Sequence, residues 1–246
     1  LIIMIEPKKQ PIFFPTQSVD NFFDKPEEIV QFANSLEYKT ARSGFWPGER
    51  TEELHINHTL FFKTFLTRLF ALYFDYSHTK LRWSDVGMYF QKTSAFDPKD
   101  KNNILNTGLI HQDGNFPLVG LVYLTKDACK DSGTSIMLPN KKYKHRPELA
   151  DEKVRLHKIP QEKLTKKDLE DRKKLILSLN ENFEESIRFN NKFNRLITYT
   201  GTDFHKCNSF YSGQDERLTL VFFVGKMKSN SQTPLQRLKN QLIQGK

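Results

Sequence analysis

The stretch "GLIHQDGNFPLVGLVYLT" (residues 108–125) sets His111 and Asp113 one residue apart, just ahead of an apolar run of Leu, Val, Tyr and Thr. That run is short and bounded by Gly-Asn and Lys-Asp punctuation, so it predicts a buried strand. On extended chain, residues i and i+2 project to the same side. His111 and Asp113 can therefore address one point in space, as half of a metal site. They would fit an ordinary polar turn equally well, because His-x-Asp is a common pattern. Partners elsewhere in the chain must decide.

Working outward, further runs of the same kind begin near residue 81: "DVGMYFQKT", "GTSIMLP", "NRLITYT", "FHKCNSFY" and "RLTLVFFVG". They are rich in β-branched and aromatic residues and broken by Gly, Asn, Asp and Ser, which predicts a sandwich, jelly roll or barrel. Residues 141–188 interrupt the series. There Thr165 stands three before Asp168 ahead of an apolar stripe, the pattern of a helix capping box, so the segment is expected to be a largely helical insert between two strands. Upstream, "DKPEEIVQFANSLEYK" predicts a helix with Asp24 as N-cap, Pro26 in its first turn and Glu27 and Glu28 near its positive end. A second helix is predicted through "NHTLFFKTFLTRLFALYF", with Phe61, Phe65, Leu69 and Tyr73 at intervals of four, and a short helix is expected at "PLQRLKNQLI". The expected fold class is mainly β with helices (α+β).

The bulk numbers agree with a packed, aromatic-rich interior. The chain has 246 residues, 37% of them hydrophobic, with 21 Phe, which excludes an intrinsically disordered chain. No stretch approaches a membrane span, and "LIIMIEPKK" is too short for the apolar core of a signal peptide. Cys129 and Cys207 are the only cysteines and have no metal-type spacing, which argues against a disulfide framework and makes a reducing cytoplasm the expected location. Net charge is +9, and residues 141–174 hold 13 Lys and Arg against 7 Asp and Glu. A solvated helical insert is the favoured reading of that excess; a basic docking face for nucleic acid or an acidic protein is the other.

A third metal donor should come from a distant strand. "TGTDFHKCNSFY" offers His205, at the start of a strand-like run just after a turn. Two imidazoles and one carboxylate, leaving open positions, form the arrangement used by non-haem Fe(II) oxygenases. Twelve residues on, "DERLTLVFFV" places Arg217 and Thr219 at i and i+2 on an apolar strand. An arginine there is costly unless it meets an anion, and a dicarboxylate co-substrate would supply one.

With these pieces in this order, the chain resembles the Fe(II)- and 2-oxoglutarate-dependent dioxygenases with the double-stranded β-helix (jelly-roll) fold, and within them the prolyl-hydroxylase-like branch. The resemblance rests on "HQD" (111–113), "LVYLT" (121–125), "SGT" (132–134), "NRLITYTGTDFH" (194–205) and "ERLTLVFF" (216–223), and more loosely on "VDNFFDKPEEIVQFANSLEY" and "GFWPGERT". It implies one oxygenase domain over 1–246, with a helical lead-in (19–80), a jelly-roll core (81–225), the charged insert (141–188) and a C-terminal helix (233–246). It implies that His111, Asp113 and His205 hold Fe(II). Arg217 would pair with the distal carboxylate of 2-oxoglutarate, with Thr219 and Tyr123 adding hydroxyl contacts, and Tyr199 and Tyr89 would line the pocket. O₂ would be the second co-substrate, with ascorbate helping in vitro. Cys207 is expected to be a buried small hydrophobe. His55, His58, His78, His145 and His157 are assigned no chemistry.

The chain departs from the branch in two ways. The separation of His111 from His205 is long, which the insert explains, and the tyrosines that the branch often has shortly before His-x-Asp are missing, those positions being Asn103, Gly108 and their neighbours. The resemblance implies hydroxylation of a C–H bond in a small-molecule or peptidyl substrate, with a free or peptidyl amino acid such as proline as the first candidate. Two other readings stand beside it. One is a catalytically silent metal-binding jelly roll. The other is a nucleic-acid-modifying oxygenase, suggested by the basic segment but lacking the Asn/Tyr/Gly lead-in before His-x-Asp.

Overall fold

A computed structural model describes residues 13–40, 46–144, 148–159 and 161–244. The N-terminal "LIIMIEPKK", the Gly44-Phe45 part of the "GFWPGERT" turn, and His145 lie outside the described residues. In chain order the elements are β1 (Gln17–Val19), α1 (Pro26–Asn34), β2 (Lys39–Thr40), β3 (Glu49–Arg50), α2 (Leu54–Asn57), α3 (Thr59–Ala71), β4 (Leu81–Thr93), β5 (Leu118–Tyr123) and β6 (Thr134–Pro139). There follow α4 (Glu148–Lys158), α5 (Lys166–Asn180), β7 (Phe183–Phe189), β8 (Leu196–Tyr199), β9 (Phe204–Cys207), β10 (Arg217–Ser229) and α6 (Pro234–Gln244). Among the described residues, no helix is long and apolar enough to cross a membrane.

The strands form two antiparallel sheets. The larger runs β1-β8-β5-β10-β4-β3-β2, and the smaller runs β7-β6-β9. The two-residue period of a strand sorts the side chains of the central strands into two sets. On β10, Leu218, Leu220, Phe222 and Val224 pack with Phe65, Leu66 and Leu69 of α3, covering one face of the larger sheet with the N-terminal helices. Their neighbours Arg217, Thr219, Val221 and Phe223 face the opposite way, toward the smaller sheet. β5 divides likewise: Leu118 and Val122 join the helices, whereas Val119, Leu121 and Tyr123 join Ile136 and Phe189 of the smaller sheet. The outer face of the smaller sheet is covered in turn by Leu156 of α4 and by Leu175, Ile176 and Leu179 of α5, packed on Met137, Phe183 and Phe204. Two antiparallel sheets thus face each other between helical layers, in the jelly-roll arrangement expected of the mainly β, α+β chain.

Several details depart from the sequence expectations. The N-cap of α1 is Lys25, whose side chain makes no capping bond. Asp24 instead gives both carboxylate oxygens to Arg68 of α3, at 2.7 and 2.8 Å, a bidentate pairing that outcompetes a cap. The 19–80 lead-in holds α1–α3 but also contributes β2 and β3 to the larger sheet, which β1 joins from just before it. Within 141–188 the helices end at Asn180, and Phe183–Phe189 is strand. The expected capping box is formed, with Thr165 Oγ1 and Asp168 bonding each other's backbone N–H groups. Part of the basic excess is matched within the insert, since Arg155 pairs with Glu152, Asp168 and Asp171.

Candidate metal centre

His111 lies outside the main strands, yet its backbone pairs with His205 of β9 as an isolated antiparallel bridge, each N–H donating to the other's carbonyl. Two residues on, Asp113 N–H donates to the carbonyl of Gly201 at 2.9 Å, and Gly114 follows with a φ of 105°, a backbone state suited to glycine. The His-x-Asp segment is therefore neither a free turn nor a full strand. It is laced to the 200–205 segment along its length.

That lacing brings three side chains together. Ligand atoms of His111, Asp113 and His205 all lie within 4.8 Å of one another. Asp113 reaches between the two imidazoles, with Oδ1 at 3.7 Å from His111 Nε2 and Oδ2 at 3.3 Å from His205 Nε2. Each imidazole is oriented by its own loop. Nδ1 of His111 bonds the Leu109 carbonyl at 2.8 Å, and Nδ1 of His205 bonds the Asp203 carbonyl at 3.0 Å. A carbonyl can only accept, so both rings carry a proton on Nδ1 and turn Nε2 toward Asp113. Burial holds His111 well below the usual imidazole range, helped by the charge of Lys153, so the ring is neutral as a metal ligand must be. The donor set of two imidazole nitrogens and one carboxylate fits a first-row divalent ion such as Fe(II).

The triad opens into a cleft whose cavity volume is about 120 Å³. Arg217, Thr219 and Thr134 line the same cleft, with Tyr199 and Cys207 beside His205. Arg217 is 4% exposed. Its Nε donates to the Ser132 carbonyl at 2.9 Å, while Nη2 is buried with no hydrogen-bond partner among the described residues. A buried guanidinium nitrogen left in this state is ready for an anionic oxygen. Thr219 is buried beside it on the same face of β10.

The tyrosines fall in different places. Tyr199 stands against His205, ring centroids 4.6 Å apart, and burial keeps its hydroxyl protonated. Tyr123 sits behind the cleft wall, its ring 5.4 Å from the Arg217 guanidinium and its hydroxyl donating to Thr134 Oγ1 at 2.9 Å. Tyr89 stands behind Arg50, with its hydroxyl donating to Glu53. Burial raises the Cys207 thiol above its usual range, so the side chain stays neutral, its Sγ donating to the Ser209 carbonyl.

The cleft residues that lie beyond the sequence expectations include Trp46, Arg50, Lys153 and His157. Trp46 and Arg50 come from the "GFWPGERT" segment and its β3 continuation. Lys153 and His157 come from α4. The i, i+4 spacing of the last two was a legible signal that they share one helix face; which way that face points was not.

A family model matches residues 5–210, a span that includes all three candidate ligands and stops short of Arg217. No curated protein matches the sequence. Among solved structures, HygX from Streptomyces hygroscopicus, with nickel, 2-oxoglutarate and hygromycin B bound, is 12% identical with a TM-score of 0.52, over 87% of this chain and 84% of that one. A prolyl hydroxylase from Trichoplax adhaerens, in complex with a hypoxia-inducible-factor peptide fragment, is 9% identical with a TM-score of 0.46, over 85% and 83%. An oxidoreductase of the 2OG-Fe(II) oxygenase family from Burkholderia pseudomallei is 11% identical with a TM-score of 0.45, over 85% of each chain. The chain belongs to DUF6445, a family of unknown function, and carries a candidate His-Asp-His metal triad on the fold of the 2-oxoglutarate–Fe(II) oxygenases.

Proposed function

We propose that this chain is an Fe(II)- and 2-oxoglutarate-dependent dioxygenase. It hydroxylates a C–H bond of a small-molecule or peptidyl substrate, with a free or peptidyl amino acid such as proline as first candidate, and releases succinate and CO₂. The observation that carries this reading is the coincidence, in one cleft, of the His-Asp-His triad and a buried arginine whose Nη2 has no partner. The 2-oxoglutarate and divalent metal bound in HygX, on the same fold, support it.

His111, Asp113 and His205 would hold the metal. With 2-oxoglutarate and O₂ bound, it would activate O₂ for C–H hydroxylation, O₂ being the oxidant and 2-oxoglutarate giving up two electrons as it becomes succinate and CO₂. Arg217 takes the far carboxylate of 2-oxoglutarate, with Thr219 donating its hydroxyl from the same face of β10. Tyr123, its ring near the guanidinium and its hydroxyl fixed on Thr134, stiffens that wall and positions Arg217. The two Nδ1–carbonyl bonds keep both imidazoles in the ligating tautomer throughout turnover. Val221, Leu121 and Phe223 exclude water from the inner cleft.

The test is conversion of 2-oxoglutarate to succinate with Fe(II), ascorbate and O₂, comparing the wild type with Asp113→Ala and Arg217→Ala. Iron-dependent succinate that disappears in both variants is expected. Turnover without the substrate can be slow, so binding is measured in parallel as the rise in melting temperature with Mn(II) and 2-oxoglutarate. Neither succinate nor a thermal shift in the wild type would defeat the proposal.

A further inference from the structure

Besides the triad and Arg217, the wall of the cleft carries two more cations, Arg50 from β3 and Lys153 from α4. Arg50 donates from Nε to Gln91 Oε1 at 2.8 Å, and its guanidinium lies 4.6 Å from the Trp46 ring centroid, with the Tyr89 and Phe223 rings at 5.3 and 5.5 Å. These contacts fix the group in place without neutralising it. Lys153 lies one helical turn before His157 on the cleft-facing side of α4. Neither cation forms an ion pair among the described residues. Both feel the charge of Asp113, and Lys153 also acts on His111, so both lie within electrostatic reach of the triad. Burial lowers Arg50 to about 10 and Lys153 to about 8, which leaves both charged at neutral pH.

The lysine, arginine and carboxylate charges of the cleft can be counted. A divalent metal and the 2-oxoglutarate dianion cancel, and Asp113 cancels Arg217. The imidazole of His111 is neutral, and so are Tyr199 and Cys207. Arg50 and Lys153 remain, two positive charges at a partly desolvated wall. Unmatched charge in such a place costs stability unless a ligand repays it, and stacking on Trp46 offsets the cost for Arg50 only.

We propose that Arg50 and Lys153 together bind an anionic group of the substrate, a carboxylate or a phosphate, beside the metal triad. This rests on the oxygenase reading and narrows its substrate class to organic anions, with Trp46 and Phe223 receiving the apolar part next to the charge. A free amino acid, with its own carboxylate, fits better than a neutral stretch of peptide.

The experiment uses the full chain with Mn(II) and one equivalent of 2-oxoglutarate, without O₂. Two probes are added: inorganic phosphate, followed by phosphorus NMR, and carboxyl-labelled acetate, followed by carbon NMR. Enhancement of nuclear relaxation by Mn(II) falls steeply with distance, so it detects even weak binding beside the metal. Metal occupancy is read separately, from loss of the free-ion signal in electron paramagnetic resonance. In the wild type, at least one probe should relax faster, and its binding should weaken about tenfold in Arg50→Gln and in Lys153→Gln with metal occupancy unchanged. A stronger response to phosphate assigns a phosphoryl group, and a stronger response to acetate a carboxylate. Variants that relax the probe like the wild type, or a metal-loaded wild type that relaxes neither, would overturn the proposal. A wild type that binds no Mn(II) would overturn the oxygenase reading, and this inference with it.

Discussion

Arg217 of β10 is aimed by Ser132, whose carbonyl accepts its Nε–H at 2.9 Å from the turn leading into β6. The guanidinium that faces the cleft is thus set by the opposite sheet. Ser132 is itself held, through its hydroxyl, by Asn191 Nδ2 at 2.8 Å. The next residue, Gly133, leaves no space for a side chain, since a Cβ there would fall 1.9 Å from the Phe189 carbonyl oxygen. Gly133→Ala should therefore push β6 from β7 and carry the Ser132 carbonyl with it. The expected result is a loss of about 1–3 kcal/mol in chemical denaturation, together with weaker 2-oxoglutarate binding by titration calorimetry. A variant unchanged in both would contradict this account of the turn.

Asp113 is the donor that reaches both imidazoles, so its removal should abolish metal-linked stability. With Mn(II) at a hundredfold excess over its dissociation constant, the wild type should gain about 2.7 kcal/mol. For a chain of this size that corresponds to a rise of about 5–10 °C in Tm. In Asp113→Ala the same metal concentration should produce no rise in a thermal melt.

Lys153 should cost the free protein stability. Burial lowers its pKa from 10.5 to about 8. Below pH 8 folded and unfolded chains both hold the proton, and the folded state bears the full cost of the charge. Between 8 and 10.5 only the unfolded chain remains protonated, so the cost fades as pH rises. Lys153→Met should accordingly be more stable than the wild type at pH 7, by about 1 kcal/mol given the partial exposure of the side chain, with the advantage shrinking toward pH 10.5. Paired denaturation curves across that range measure it. An advantage that grows with pH would show the sign to be wrong.

Arg172 of α5 is 1% exposed and donates to the carbonyls of Leu105 (3.1 Å) and Thr107 (2.7 Å), with its guanidinium 3.8 Å from the Phe96 ring centroid. It ties the insert to the chain just upstream of His111. Arg172→Met keeps the apolar stem and strands the two carbonyls. A loss of about 2–4 kcal/mol is expected in urea denaturation, with weaker Mn(II) binding as the 105–111 segment loosens. Full metal affinity in a folded variant would limit Arg172 to stability.

The sequence made the central strands legible because β4, β5 and β10 carry dense β-branched and aromatic runs. It made the triad legible because His-x-Asp, a later histidine and a strand arginine occur in a recognisable order. β7 was missed because its burial is confined to its ends; the five residues between Phe183 and Phe189 are exposed. No alternation marks such an edge strand, and its charges resemble those of the helix before it. Arg50 and Lys153 were missed for another reason. Their roles depend on how the lead-in and the insert dock on the sheets, and no local pattern encodes that.

The lone bridge between His111 and His205 has a consequence for how the protein is made. During synthesis His111 and Asp113 leave the ribosome long before His205, and Arg217 follows later still. A growing chain stopped anywhere in the insert holds only two of the three donors and none of the β9 backbone that aligns them. On the proposed reading, metal capture therefore waits until His205 and β9 have been made. The strands of β5 and β6 are laid down while the site is still incomplete, and a retained ion certifies that the two distant segments have found each other.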